Sequence, residues 1–168
     1  MRLAPRWIPL AAGRLELDGD LVSVTLRSGN AWSEQTEVLP ELTRVQLCNL
    51  AEAREADGPI GLVTGPAQAG VLNLVVDAVA RKNRRTLVVR GRTPPTHTAA
   101  LVREALLFDA VIVLVDAGNA VELGTSLART PARLMYVIEQ VGARSPFEEH
   151  TVVSVNLPST LQGAQNVR

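Results

Sequence analysis

The run Ala110-Val111-Ile112-Val113-Leu114-Val115, closed by Asp116, restricts the fold more than any other stretch of the chain. Its apolar side chains follow one another without a polar interruption, so neither face of the strand they predict can look into water. Strands of this kind occur in parallel sheets covered by helices on both sides. Past Asp116 a Gly118-Asn119 turn leads into a segment where Ala120, Leu123, Gly124 and Leu127 recur at helical spacing, while Glu122, Thr125, Ser126 and Arg129 form a polar stripe. This predicts Asp116 at the carboxyl end of a central strand and Glu122 in the first turn of the next helix. That is the edge at which open α/β sheets hold ligands.

The same alternation extends over much of the chain. Ile60 to Thr64 reads as a strand, Gly65 to Gly70 as a loop, and Leu72, Val75, Val76, Val79 and Ala80 as the face of a helix ending near Arg85. A strand over Thr86 to Arg90 follows, then a stretch made irregular by Pro94 and Pro95, then a helix marked by Leu101, Val102, Ala105 and Leu106. Arg133 to Ile138 supplies another strand, and Thr151 to Asn156 alternates as an edge strand. Strands alternating with helices predict parallel pairing through right-handed crossovers: a flavodoxin- or Rossmann-like three-layer α/β sandwich with about four or five mostly parallel strands.

The first third is different. Leu15, Leu17, the Asp18-Gly19 turn signal and then Val22, Val24 and Leu26 predict a hairpin over Arg14 to Arg27. A polar loop from Ser28 to Thr36 holds Trp32 as a candidate anchor. Pro40 suits the start of a helix whose apolar face is Leu42, Val45, Leu47, Leu50 and Ala51, ending before Asp57-Gly58-Pro59. The chain thus divides into a hairpin-plus-helix appendage (1–58), an α/β domain (59–157) and a polar tail (158–168).

Composition narrows the function. Lys and Arg total 17 and Asp and Glu total 17, so no net field draws the chain to nucleic acid or to an anionic membrane. Aromatic residues at 3% are too few for base-stacking platforms. The lone Cys48 fits a reducing compartment, and His97 and His150 stand apart without metal-ligand spacing, so no metal is expected. No apolar run approaches the ~20 residues that span a bilayer, and Pro5 and Pro9 interrupt the basic opening, which points to the cytoplasm.

Two stretches could carry chemistry. Gly65 and Gly70 have the spacing of a phosphate-binding GxxxxGK[ST] loop, but Val71 and Leu72 stand where that loop needs its lysine and hydroxyl. An active P-loop ATPase is excluded; glycines there can still bring backbone amides near a ligand, or simply turn the chain. At the other stretch, a carboxylate in the first turn of a helix is held ionised by the unpaired amides and could attack an electron-poor carbon, whereas Asp116 or Asn119 could equally serve only as caps. Of the basic residues around the second strand, Arg90 and Arg92 lie closest to the predicted crevice.

From Asp116 to Gly124 the chain resembles the nucleoside 2-deoxyribosyltransferase superfamily, which includes nucleotide N-glycoside hydrolases. Asp116, Gly118, Glu122, Leu123 and Gly124 match its pattern, and Gly65-Pro66 resembles its early glycine-proline loop near the nucleotide. The family's further acid has no counterpart near Leu101, where the nearest candidate is Glu104. The resemblance implies a nucleoside or nucleotide substrate, no cofactor, and a homo-oligomer. It implies Glu122 as nucleophile on the anomeric carbon and Asp116 as the group that orients the sugar or handles the base's proton. Gly65, Pro66, Gly118, Asn119, Ser126 and Arg92 would line the substrate. The competing expectation is a non-catalytic nucleotide-binding or protein-interaction module, a degenerate P-loop-like domain among them.

Overall fold

The computed structural model describes residues 17, 19, 21–28, 39–52, 60–66, 70–90, 93–115, 120–140, 143–147 and 150–158. In chain order the elements are β1 (Val24–Arg27), α1 (Glu41–Glu52), β2 (Ile60–Thr64), α2 (Val71–Arg81), β3 (Arg85–Val89), a 3-10 turn (Pro95–His97), α3 (Thr98–Leu107), β4 (Ala110–Val115), α4 (Ala120–Ala128), β5 (Leu134–Ile138) and β6 (Val152–Asn156). They build the expected α/β sandwich around one sheet of six strands in the order β1-β3-β4-β5-β2-β6. All neighbours are parallel except β1, which runs antiparallel along β3 from Val24 opposite Val89 to Arg27 opposite Thr86.

Alternation along the strands sorts the core into two layers. Leu87, Val89, Ile112, Leu114, Leu134 and Tyr136 turn to the face covered by α3 and α4. Val88, Val111, Val113, Met135 and Val137 turn to the face covered by α1 and α2. Buried on both faces, β4 fits its uninterrupted apolar sequence: Ala110 to Leu114 are all 2% exposed or less. Packed on the sheet beside α1, α2 buries Val71, Leu72, Leu74, Val75, Val76, Asp77, Ala78 and Val79, nearly its whole circumference.

The connections are made by local chemistry. After α2, Asn83 adopts a left-handed conformation (φ 55°), its amide reaches Ala80 O at 2.9 Å and the Arg84 amide returns to Val79 O at 3.3 Å. This is the hydrogen-bond pattern that closes a helix on a residue tolerant of positive φ. Asp109 (φ 46°) occupies the equivalent place after α3. Two arginines then fasten the end of α1 to the sheet: Arg133 Nε donates to Leu50 O at 2.9 Å and Arg84 donates to Ala51 O at 3.1 Å. Burial, and the nearby Arg84 charge, push the Arg133 guanidinium below its ordinary value.

Several expectations change in three dimensions. Leu42 and Val45, read as part of the apolar face of α1, are 69% and 49% exposed, because only Leu47, Leu50 and Ala51 reach the sheet and α2. Leu106 of α3 is likewise exposed, and Leu101, Ala105 and Phe108 form the buried side. The second strand of the expected hairpin is β1, an edge of the main sheet; of its first strand only Leu17 is described, half-buried against the core and not in a strand, and Trp32 falls outside the described residues. No helix among the described residues is long and apolar enough to cross a membrane.

Candidate functional site

In a parallel sheet the binding crevice opens where adjacent strands send their following connections to opposite faces. Here β2 leads into α2 on one face, while β5 leads into the segment carrying Phe147, which packs on the other. The switch point therefore lies between the carboxyl ends of β2 and β5, beside Gly65. The strand that ends before Asp116 is β4, on the far side of β5. Gly65, after β2, and the end of β4 thus flank β5 from opposite sides.

Around Gly65 the chain packs against itself, mainly from the β6 side of β2. The Gly65 amide donates to Ile138 O at 3.3 Å, and the Leu157 amide donates to Thr64 O at 2.7 Å. Thr64 Oγ1 donates to Asn156 Oδ1. A Cβ on Gly65 would stand 2.9 Å from Leu157 Cβ and 3.0 Å from Val71 Cγ2, and Leu157 is itself 2% exposed. Gly65 is glycine because Leu157 presses on it, and Pro66 beside it is half-buried. Val71 and Leu72, at the lysine and hydroxyl positions of a phosphate loop, are buried at 0% and 4% exposure in the core beneath α2. Gly70 supplies a left-handed turn (φ 61°) ahead of α2, a conformation that explains a glycine without a ligand.

This packing makes a prediction. Gly65→Ala should lower stability by about 1–2 kcal/mol, because the new methyl meets the Cβ of Leu157, an atom too close to the backbone to swing aside. Denaturant melts of Gly65→Ala and of the Gly65→Ala/Leu157→Ala pair measure it. A neutral Gly65→Ala would mean the loop is open.

On the other side of β5, α4 carries Glu122 in its first turn with the side chain exposed, and Ser126 half-buried one turn further on. Asp116, Gly118, Asn119 and Arg92 lie outside the described residues. The conspicuous Glu122-Leu123-Gly124 pattern has a packing basis of its own. Leu123 is buried, and a Cβ on Gly124 would fall 2.6 Å from two ring atoms of Phe147, whose ring meets Tyr136 edge-on at 5.2 Å. Glu104 is fully buried on the inner side of α3, with Oε1 3.5 Å from Arg103 Nε.

Among the described residues no three histidine, cysteine, aspartate or glutamate side chains gather as a metal site. Sequence reasoning missed the Thr64–Asn156 bond and the burial of Leu157. Both join residues far apart in the chain, and no local signal marks them. No protein-family model matches the chain, and no curated protein matches it.

Proposed function

We propose that the chain is a non-catalytic interaction module built on an α/β sandwich of nucleotide-binding type. The observation that carries this reading is the packing around Gly65. The Gly65 amide is taken by a main-chain carbonyl, the space above its Cα is filled by Leu157, and the two positions that would bring charge and a hydroxyl to a phosphate are core valine and leucine. A site of this class acts through amides and charged side chains left open toward the ligand. Among the described residues around Gly65 they are turned into structure.

A second reading stands on one feature, the exposed Glu122 carboxylate in the first turn of α4. On that reading the chain cleaves or transfers the N-glycosidic bond of a nucleoside or nucleotide, with Glu122 as nucleophile and Asp116 orienting the sugar. One experiment separates the two. The protein is incubated with nucleosides, nucleoside monophosphates, NAD and ATP, and free base and phosphate are followed by chromatography. The module releases neither above the buffer rate, and Glu122→Ala changes nothing. Base release that disappears in Glu122→Ala would replace the module with the glycosidase.

A further inference from the structure

We infer that the free edge of β6 is a self-association surface, on which a second copy of this chain adds its own β6 antiparallel to form one continuous sheet. The inference is independent of whether Glu122 is catalytic. It starts from the direction of the backbone groups. Thr151 O accepts from the Ile60 amide at 2.9 Å, and the Leu157 amide donates to Thr64 O at 2.7 Å, with Val153 opposite Gly61 and Val155 opposite Val63 in the parallel register. Alternate residues of a ladder strand serve the same neighbour, so Thr151, Val153, Val155 and Leu157 bond to β2, and Val152, Ser154 and Asn156 turn their N–H and C=O away from it. Among the described residues no strand lies beyond β6.

That outward row is self-complementary. With a two-fold axis at Ser154, Ser154 meets the second copy's Ser154, and Val152 meets Asn156 in both directions. Each is a pair that exchanges both ladder bonds. On the face shared with α1, Val153 then stands against Val155 of the second copy, covering a side chain that is 42% exposed in the single chain.

The charge pattern selects the same occupant. Edge strands that must stay single are usually guarded by charge or proline. From Thr151 to Leu157 there is neither, whereas β1, at the other edge of the sheet, ends in Arg27. The flank of α1 toward β6 continues this neutrality. Glu41, Arg44, Val45, Cys48 and Asn49 line the groove against the end of α2, so at helical spacing Leu42 and Gln46 project from the opposite flank, and Leu42 is 69% exposed. A neutral, β-branched edge beside an exposed leucine is matched by another neutral, β-branched edge, and the chain's own copy supplies one.

The test is the mass in solution. Sedimentation equilibrium on the wild-type chain should give about twice 18.0 kDa at micromolar concentration. Val153→Lys, at an exposed side chain, should weaken the dimer at least about tenfold by placing like charges across the axis. Ser154→Pro, which removes an outward donor and leaves the bonds to β2 intact, should give a monomer; should it unfold, Val153→Lys still decides. Val22→Lys, at an exposed position beside β1, should remain dimeric. A Ser154→Cys chain on a Cys48→Ser background should join to itself with a short bis-maleimide, and Thr125→Cys on that background should not. A wild-type monomer throughout, or a dimer untouched by Val153→Lys, overturns the proposal.

Discussion

Gly124→Val is expected to lower the melting temperature by about 6–12 °C, corresponding to about 3 kcal/mol for a chain of this size. Two effects oppose each other at this position. Replacing glycine by alanine inside a helix ordinarily stabilises by about 1 kcal/mol, so propensity alone favours substitution. Against it stands a Cβ only 2.6 Å from Phe147 Cε1 and Cζ, with Leu114 Cδ1 at 3.3 Å behind. The phenyl ring is 4% exposed and fixed edge-on against Tyr136, so it cannot yield without opening the core. The clash wins, and valine, with two further methyl groups, widens the margin over alanine. Phe147→Ala costs stability alone, yet combined with Gly124→Val it should recover part of the loss, because the two substitutions share one space. A double-mutant cycle from thermal melts measures the coupling; additive losses would place the Phe147 ring elsewhere. The result bears on function, since it separates the structural need for glycine after Glu122-Leu123 from any need of a substrate.

Arg133→Ala should be nearly as damaging, by about 2–3 kcal/mol. Arg133 is 6% exposed and its Nε bonds Leu50 O at 2.9 Å, among the last carbonyls of α1, where a helix presents its negative end and lacks partners of its own. Burial, and then the neighbouring Arg84 charge, push the Arg133 guanidinium below its ordinary pKa. Removing the side chain strips that carbonyl and leaves a hole under the helix. Arg84, bonded to Ala51 O at 3.1 Å and to Asp109 Oδ1 at 3.2 Å, holds the helix by a second point, so loosening should be local before it is global. Hydrogen exchange should therefore accelerate in α1 well before β4. Arg133→Lys should restore little, since an ammonium cannot reproduce the planar donor geometry. Uniform loss of protection across the sheet would show that Arg133 supports β5 itself and not the helix.

The elements and their order were legible from the sequence because each depends on local chemistry. An apolar run such as Ala110 to Val115 has no stable home except a doubly covered strand, and the helical spacing of Leu72, Val75, Val76 and Val79 needs only a sheet to lie on. The Val71 and Leu72 substitutions in the glycine loop were equally plain, since they remove a charge and a hydroxyl that a phosphate would require. Less could be read of which apolar face is buried. Leu42, Val45 and Leu106 satisfy the same periodicity as their buried neighbours, and only the position of α2 and α4 decides which side of a helix is covered.

The local code therefore set the strands, the helices and the apolar residues that stand where a phosphate loop needs lysine and a hydroxyl. Tertiary structure alone decided what the glycines are for. Strand order put β5 between the Gly65 loop and the helix of Glu122, and the return of the chain along β2 laid Leu157 over Gly65. It also carried Phe147 against Gly124. A glycine written for a ligand and one written for a neighbouring side chain have the same spelling. They differ in what stands within a few ångströms, and that neighbour arrives from a distant part of the chain.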